Sequence, residues 1–132
     1  ATQEFAKNVN IEVETSLEKK ENEDWIKKYR SSIQPVEVGS FYTRPDWVEK
    51  KENFIDIIIN PALAFGSGHH ETTSSCILAI DEHVNSENSV LDVGCGSGIL
   101  AIAASKKGAF VDICDTDEVA IESAKENFHL NK

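Results

Sequence analysis

No apolar run in the sequence approaches the roughly 20 residues that a membrane helix needs, and no basic segment leading into an apolar one opens the chain. Neither a membrane span nor a secretory leader is expected, which makes this a cytoplasmic protein on reading. The three cysteines, Cys76, Cys95 and Cys114, are an odd number without C-x-x-C spacing, which sets aside both a disulfide framework and a zinc ribbon. Reduced thiols are expected. Basic charge is scarce: 13 Lys and Arg against 23 Asp and Glu leave a net charge of −10. That balance opposes docking on a nucleic-acid backbone, where affinity comes largely from Lys and Arg releasing counterions. A basic protein partner is electrostatically easier, although a carboxylate surplus more often just keeps a protein soluble.

Three signatures that would name a ligand or metal outright are also missing. Gly-Lys-Ser and Gly-Lys-Thr do not occur, so no triphosphate loop is present. The dinucleotide fingerprint G-x-G-x-x-G starts at Gly94 and Gly96 but meets Ile99 where its third glycine belongs. His69, His70 and Glu71 suggest zinc, yet H-E-x-x-H needs a histidine where Ser74 stands, and adjacent histidines point in different directions. No metal is expected. Cys95 has no base partner indicated for a nucleophile, which leaves a backbone role beside a ligand as the simpler reading.

What is present is a strand, a glycine turn and a helix. Val90-Leu91-Asp92-Val93-Gly94-Cys95-Gly96-Ser97-Gly98 joins an apolar strand to the helix-like Ile99 to Lys106, and Asp115 closes the next apolar run. Glycines at alternate positions let the chain turn sharply after a buried strand and leave backbone N–H groups open to a ligand. An acidic residue after the second strand stands where doubly wound folds accept hydrogen bonds from ribose hydroxyls. With every phosphate signature missing, the ligand expected is a ribose-bearing molecule with a positive group. Asp92 is placed to help hold a ligand ammonium, directly or through water. The plain alternative is a glycine turn that only packs tightly.

Along the chain, Val9 to Glu14 alternates apolar and polar as a half-buried strand does, and the Glu- and Lys-rich Thr15 to Asp24 reads as a linker. A short helix over Asp24 to Ser32 puts Trp25, Ile26 and Tyr29 on one face. Val36 to Val38 and Phe41 to Thr43 flank the hairpin turn signal Gly39-Ser40, and Phe54 to Ile59 is a further strand ending at Asn60-Pro61. The loop Ala62 to His70 leads to a helix over Glu71 to His83 with Cys76, Ile77 and Ile80 on its apolar side. Strands Val90 to Val93 and Phe110 to Cys114 bracket the glycine turn and its helix. A last helix, Asp117 to Phe128, turns Ala120, Ile121, Ala124 and Phe128 inward behind an Asp117 N-cap. Only two parallel strands are expected, and parallel sheets need both faces covered; with Ala1 in first place, a piece of a larger protein is expected.

The Val90 to Gly98 stretch resembles the first motif of class I methyltransferases, which use S-adenosylmethionine, and Phe110 to Asp115 resembles their second. Asn60-Pro61-Ala62-Leu63-Ala64-Phe65-Gly66-Ser67-Gly68-His69-His70-Glu71-Thr72-Thr73, a helix's length before the glycine turn, narrows the likeness. Over roughly residues 24 to 132 the sequence is similar to the family that methylates ribosomal protein eleven of the large subunit, the PrmA family. The resemblance implies a Rossmann-like class I methyltransferase fold with a parallel-sheet core, present here only in part, preceded by the end of a smaller α+β domain and a linker helix. Residues 1–23 would end an amino-terminal substrate-recognition domain and its linker, and 24–132 would form the amino-terminal half of the methyltransferase domain.

The implied activity is N-methylation of amino groups on a basic ribosomal protein, with S-adenosylmethionine as cofactor. Thr73, Gly94 and Asp115 would contact the cofactor by that likeness, joined by Asp92 and Gly96 from the reading of the turn itself. At the first turn of its helix, Thr73 offers a hydroxyl and nearby free N–H groups that suit a carboxylate. Phe65 has two open readings, a flank of the methyl group or acceptor and a packing anchor. No catalytic proton acceptor can be named. A methyltransferase for a small molecule or RNA, and a non-catalytic cofactor-binding remnant, remain as alternatives, with a nicotinamide dehydrogenase behind them.

Overall fold

The computed structural model describes residues 27–28, 30–60 and 70–132. The strand expected over Val9 to Glu14, Trp25, Ile26, Tyr29, Phe65 and His69 lie outside the described residues. Residues 27–28 and 30–32 are helical, within the helix expected over 24–32. The chain divides into two compact units, Ala1–Ser32 and Ile33–Lys132, and the elements that follow belong to the second.

Strands β1 (Val36–Val38) and β2 (Phe41–Arg44) form the expected hairpin around Gly39-Ser40, with Val36 opposite Thr43 and Val38 opposite Phe41. β3 (Ile55–Ile58) then lies parallel to β2, Phe41 opposite Ile55 and Arg44 opposite Ile58. This parallel pair was not expected from the sequence. Its connection, residues 45–54, is gathered by Arg44, whose guanidinium grips Asp56 through two bonds of 2.7 and 2.8 Å and donates to the Val48 carbonyl. A side chain therefore organises the crossover where a helix commonly would. β2 is the middle strand, and Phe41, Tyr42 and Thr43 are accordingly all buried.

A second sheet pairs β4 (Ser89–Val93) with β5 (Phe110–Cys114) in parallel, Ser89 opposite Phe110 and Val93 opposite Cys114. Between them runs α2 (Ile99–Lys106), whose Ile99, Ala101, Ile102, Ala103 and Ala104 are buried. Its alanines let neighbours come close: α2 packs against β3, β4, β5, α1 (Glu71–His83) and α3 (Glu118–Leu130). The core that results holds Val38, Phe41, Ile57, Ile59, Ile77, Ile99, Ile102 and Ala103.

α1 has the expected bounds, but Cys76 is exposed, and only Ile77 is buried, with Ile80 packed against the core. The apolar stripe is narrower than the sequence suggests. α3 starts after Asp117, whose carboxylate accepts the Val119 N–H at 2.9 Å as a cap should. Its buried stripe runs Ala120, Ser123, Ala124 and Asn127, so Ile121 is only half-buried while two polar residues turn inward. The helical period outweighs residue type here, because Asn127 meets backbone partners inside. Among the described residues no helix is long and apolar enough to cross a membrane.

Candidate functional site

In-register pairing brings the carboxyl ends of β4 and β5 together, so the glycine turn after Val93 and Asp115 after Cys114 emerge side by side. Ligands of open parallel sheets bind at such ends. The Cys114 carbonyl accepts the Gly94 N–H at 2.8 Å and the Cys95 N–H at 3.2 Å, and the Gly98 N–H donates to the Cys95 carbonyl at 2.7 Å. The Gly96 N–H donates to Asp115 Oδ2 at 3.0 Å. The expectation of open amides is thereby corrected for Gly94, Cys95, Gly96 and Gly98: strand register sets acceptors beside them, and backbone donors find partners when they can.

What stays open is space. Gly94 is exposed at φ +75°, and a Cβ built there would meet nothing within 4 Å among the described residues. Gly98 serves a different end: at φ +77° its missing Cβ would come within 3.0 Å of the Ala124 Cβ, so this glycine lets the start of α2 press against α3.

Asp115 accepts the Asp117 N–H on Oδ1 at 3.0 Å and the Gly96 N–H on Oδ2. These two bonds, the Asp117 one foremost, with a lesser one from the Thr116 N–H, hold its carboxyl below the ordinary range, so it is an anion at neutral pH. An ionised carboxylate has about four acceptor positions. With backbone N–H donors on both oxygens, Asp115 still keeps acceptor capacity for a ligand hydroxyl, as a ribose requires.

Asp92 is 9% exposed and accepts the Ala101 N–H on Oδ2 at 3.2 Å, capping α2 from outside because Gly98 has no side chain to do so. Burial pushes its carboxyl above the ordinary range, with the Ala101 bond opposing and Asp115 adding repulsion. The two carboxylates of the turn are thus driven in opposite directions. Burial also raises the Cys95 thiol, which keeps it protonated and a poor nucleophile.

Thr73 stands half-buried in the first turn of α1. His70 caps that turn, its Nδ1 lying 2.7 Å from Thr72 Oγ1 and receiving the Thr72 N–H at 3.4 Å. Thr72 is engaged by the cap, whereas the Thr73 hydroxyl makes no hydrogen bond among the described residues. No bond ties Thr73 to the glycine turn; Asp92, Gly94, Gly96 and Asp115 are the residues brought together. Sequence reasoning missed the His70 cap, since histidine is no favoured N-cap. It also missed Asn127, whose place one helical step from Ala124 was the available signal.

A parallel strand pair, a glycine turn into a helix and an acidic residue closing the second strand fit a class I methyltransferase fold, present here in part. A solved ribosomal protein L11 methylase from Lactobacillus delbrueckii subsp. bulgaricus superposes with a TM-score of 0.69 at 35% identity, over 75% of this chain and 53% of that one. The family model described as ribosomal protein L11 methyltransferase (PrmA) matches residues 1–132, and the chain belongs to that family. Relatives named ribosomal protein L11 methyltransferase include one from a Nitratiruptor species, 60% identical over 94% of this chain and 44% of its own length. Another, from Campylobacter fetus subsp. fetus, is 55% identical over 98% of this chain and 48% of its own length. The chain spans about half the length of the curated relatives it matches.

Proposed function

We propose that the protein carrying this chain transfers methyl groups from S-adenosylmethionine to amino groups of ribosomal protein L11 in the cytoplasm, and that this chain supplies the cofactor half of the catalytic domain. The observation that carries the reading is the pairing of open space at Gly94 with an anionic Asp115 whose oxygens keep acceptor capacity. A ribose hydroxyl fits that carboxylate. The methionine part fits beside Gly94 and Gly96, where no phosphate cradle is needed. Asp92 has one oxygen without a hydrogen bond among the described residues, which suits the ammonium directly or through water, and the Thr73 hydroxyl suits the carboxylate.

When bound, S-adenosylmethionine supplies a methyl group already activated by its sulfonium, so holding and orienting are the main tasks left to the protein. The turn performs the holding: its own hydrogen bonds fix it before a ligand arrives, which lowers the ordering cost of binding. Residues 1–23 are assigned to the end of a substrate-recognition domain and its linker, and 24–132 to the catalytic domain. A net charge of −10 favours encounter with a basic protein and disfavours nucleic acid.

The test is incubation of the full-length protein with radiolabelled S-adenosylmethionine and purified ribosomal protein L11. Label in that protein is expected. Cofactor binding without label in it would move the assignment to another acceptor.

A further inference from the structure

Asn127, on α3, is 0% exposed. A buried amide is costly unless both of its ends are met. Its Oδ1 accepts the backbone N–H of Asn60 at 2.9 Å, and its Nδ2 donates to the backbone carbonyl of Ser97 at 2.9 Å. Asn60 follows β3 at the carboxyl end of the first sheet; Ser97 lies inside the glycine turn at the carboxyl end of the second. The two sheets share no hydrogen-bonded strands. One side chain therefore spans them at the end where the candidate site lies.

Asn131, one turn later, holds the first sheet only. Its Oδ1 accepts the Ile58 N–H at 2.9 Å, and its Nδ2 donates to the Ile58 carbonyl and to the Asn127 carbonyl, each at 2.7 Å, so it fastens the end of α3 to β3 without a bond to the glycine turn. The pair supplies its own control: both residues hold the first sheet, and only Asn127 reaches the glycine turn.

We propose that Asn127 is a positioning residue for the cofactor, fixing the Gly94–Gly98 turn against the end of β3 through Ser97 and Asn60. An asparagine is required because one group must donate and another accept, at opposite ends of a side chain of this length. Aspartate keeps the shape and the acceptor for Asn60 but sets an oxygen against the Ser97 carbonyl, which frees or displaces the turn. The inference rests on the cofactor reading above.

The experiment titrates S-adenosylhomocysteine, the non-reacting product form, calorimetrically into full-length wild type, Asn127→Asp and Asn131→Ala. Asn127→Asp is expected to weaken binding about tenfold or more at unchanged stoichiometry. Asn131→Ala is expected to lower Tm while Kd stays within about twofold, since it loses bonds to Ile58 and to the Asn127 carbonyl but leaves the Asn127 side chain on Asn60 and Ser97. Equal Kd in wild type and Asn127→Asp, or equal weakening in both variants, would overturn the inference; no binding by wild type would instead overturn the cofactor reading. Should Asn127→Asp fail to fold, amide exchange in wild type decides: saturating ligand should slow exchange at Asn60 together with Gly96, and protection of Gly96 alone would contradict the link.

Discussion

The two glycines that look equivalent on the page divide their labour. At Gly98, alanine meets Ala124 at 3.0 Å from a left-handed backbone, so Gly98→Ala should destabilise by about 2–5 kcal/mol, combining backbone strain and overpacking. Gly94→Ala faces open space and should cost only the left-handed strain, about 1–2 kcal/mol, while losing ligand affinity. Denaturant midpoints and a ligand titration on both variants check the contrast; equal stability loss would contradict it. Ser123 offers a prediction of opposite sign. Its hydroxyl is buried without a hydrogen-bond partner among the described residues, so Ser123→Ala should leave stability unchanged or raise it by about 1 kcal/mol, and a lower Tm would count against that account. The placement of Gly94 and Asp115 directly after β4 and β5 was legible in the sequence, because spacing after an apolar run is a local signal. The Asp92 cap on Ala101 and the taken amides were not, because they depend on which residues strand register sets opposite one another.

At the level of elements, Asp81 ties three together. Its carboxylate on α1 accepts the Ser40 hydroxyl at 2.6 Å and the Ser40 N–H at 2.8 Å from the hairpin turn, and Lys107 after α2 reaches it at 3.1 Å. These bonds, the Ser40 hydroxyl first, hold the carboxyl below its ordinary range against the opposing effect of burial. A folded pKa below the unfolded value, about 3.9 for aspartate, means that the stabilisation is present above that value and is lost as pH falls through the folded pKa. Asp81→Asn should therefore lower Tm at neutral pH and flatten the fall in Tm below about pH 4; an unchanged acid limb would contradict the assignment. The hairpin, α1, α2 and β5 were readable from turn chemistry and period. The parallel β2–β3 pair was not, since an Arg44–Asp56 grip across strands leaves no periodic trace.

Across the whole molecule, the second sheet is covered on one face only. Leu91, Val93 and Phe110 are 63%, 73% and 67% exposed on the face opposite α2, in a parallel sheet of the kind that normally buries both. The 132-residue chain should accordingly bind a dye that reports apolar surface, and Val93→Lys with Phe110→Lys should remove most of that signal with less than about 0.5 kcal/mol change in stability per site. Retained dye binding would place the apolar surface elsewhere. The central claim is that the turn at Gly94–Gly98 and Asp115 together hold a sulfonium nucleoside. Calorimetric titration of S-adenosylmethionine into the full-length protein tests it most directly. One saturable site in wild type, lost in folded Gly94→Ala, is the predicted result; no binding, binding of NAD in its place, or undiminished binding by the variant would contradict it.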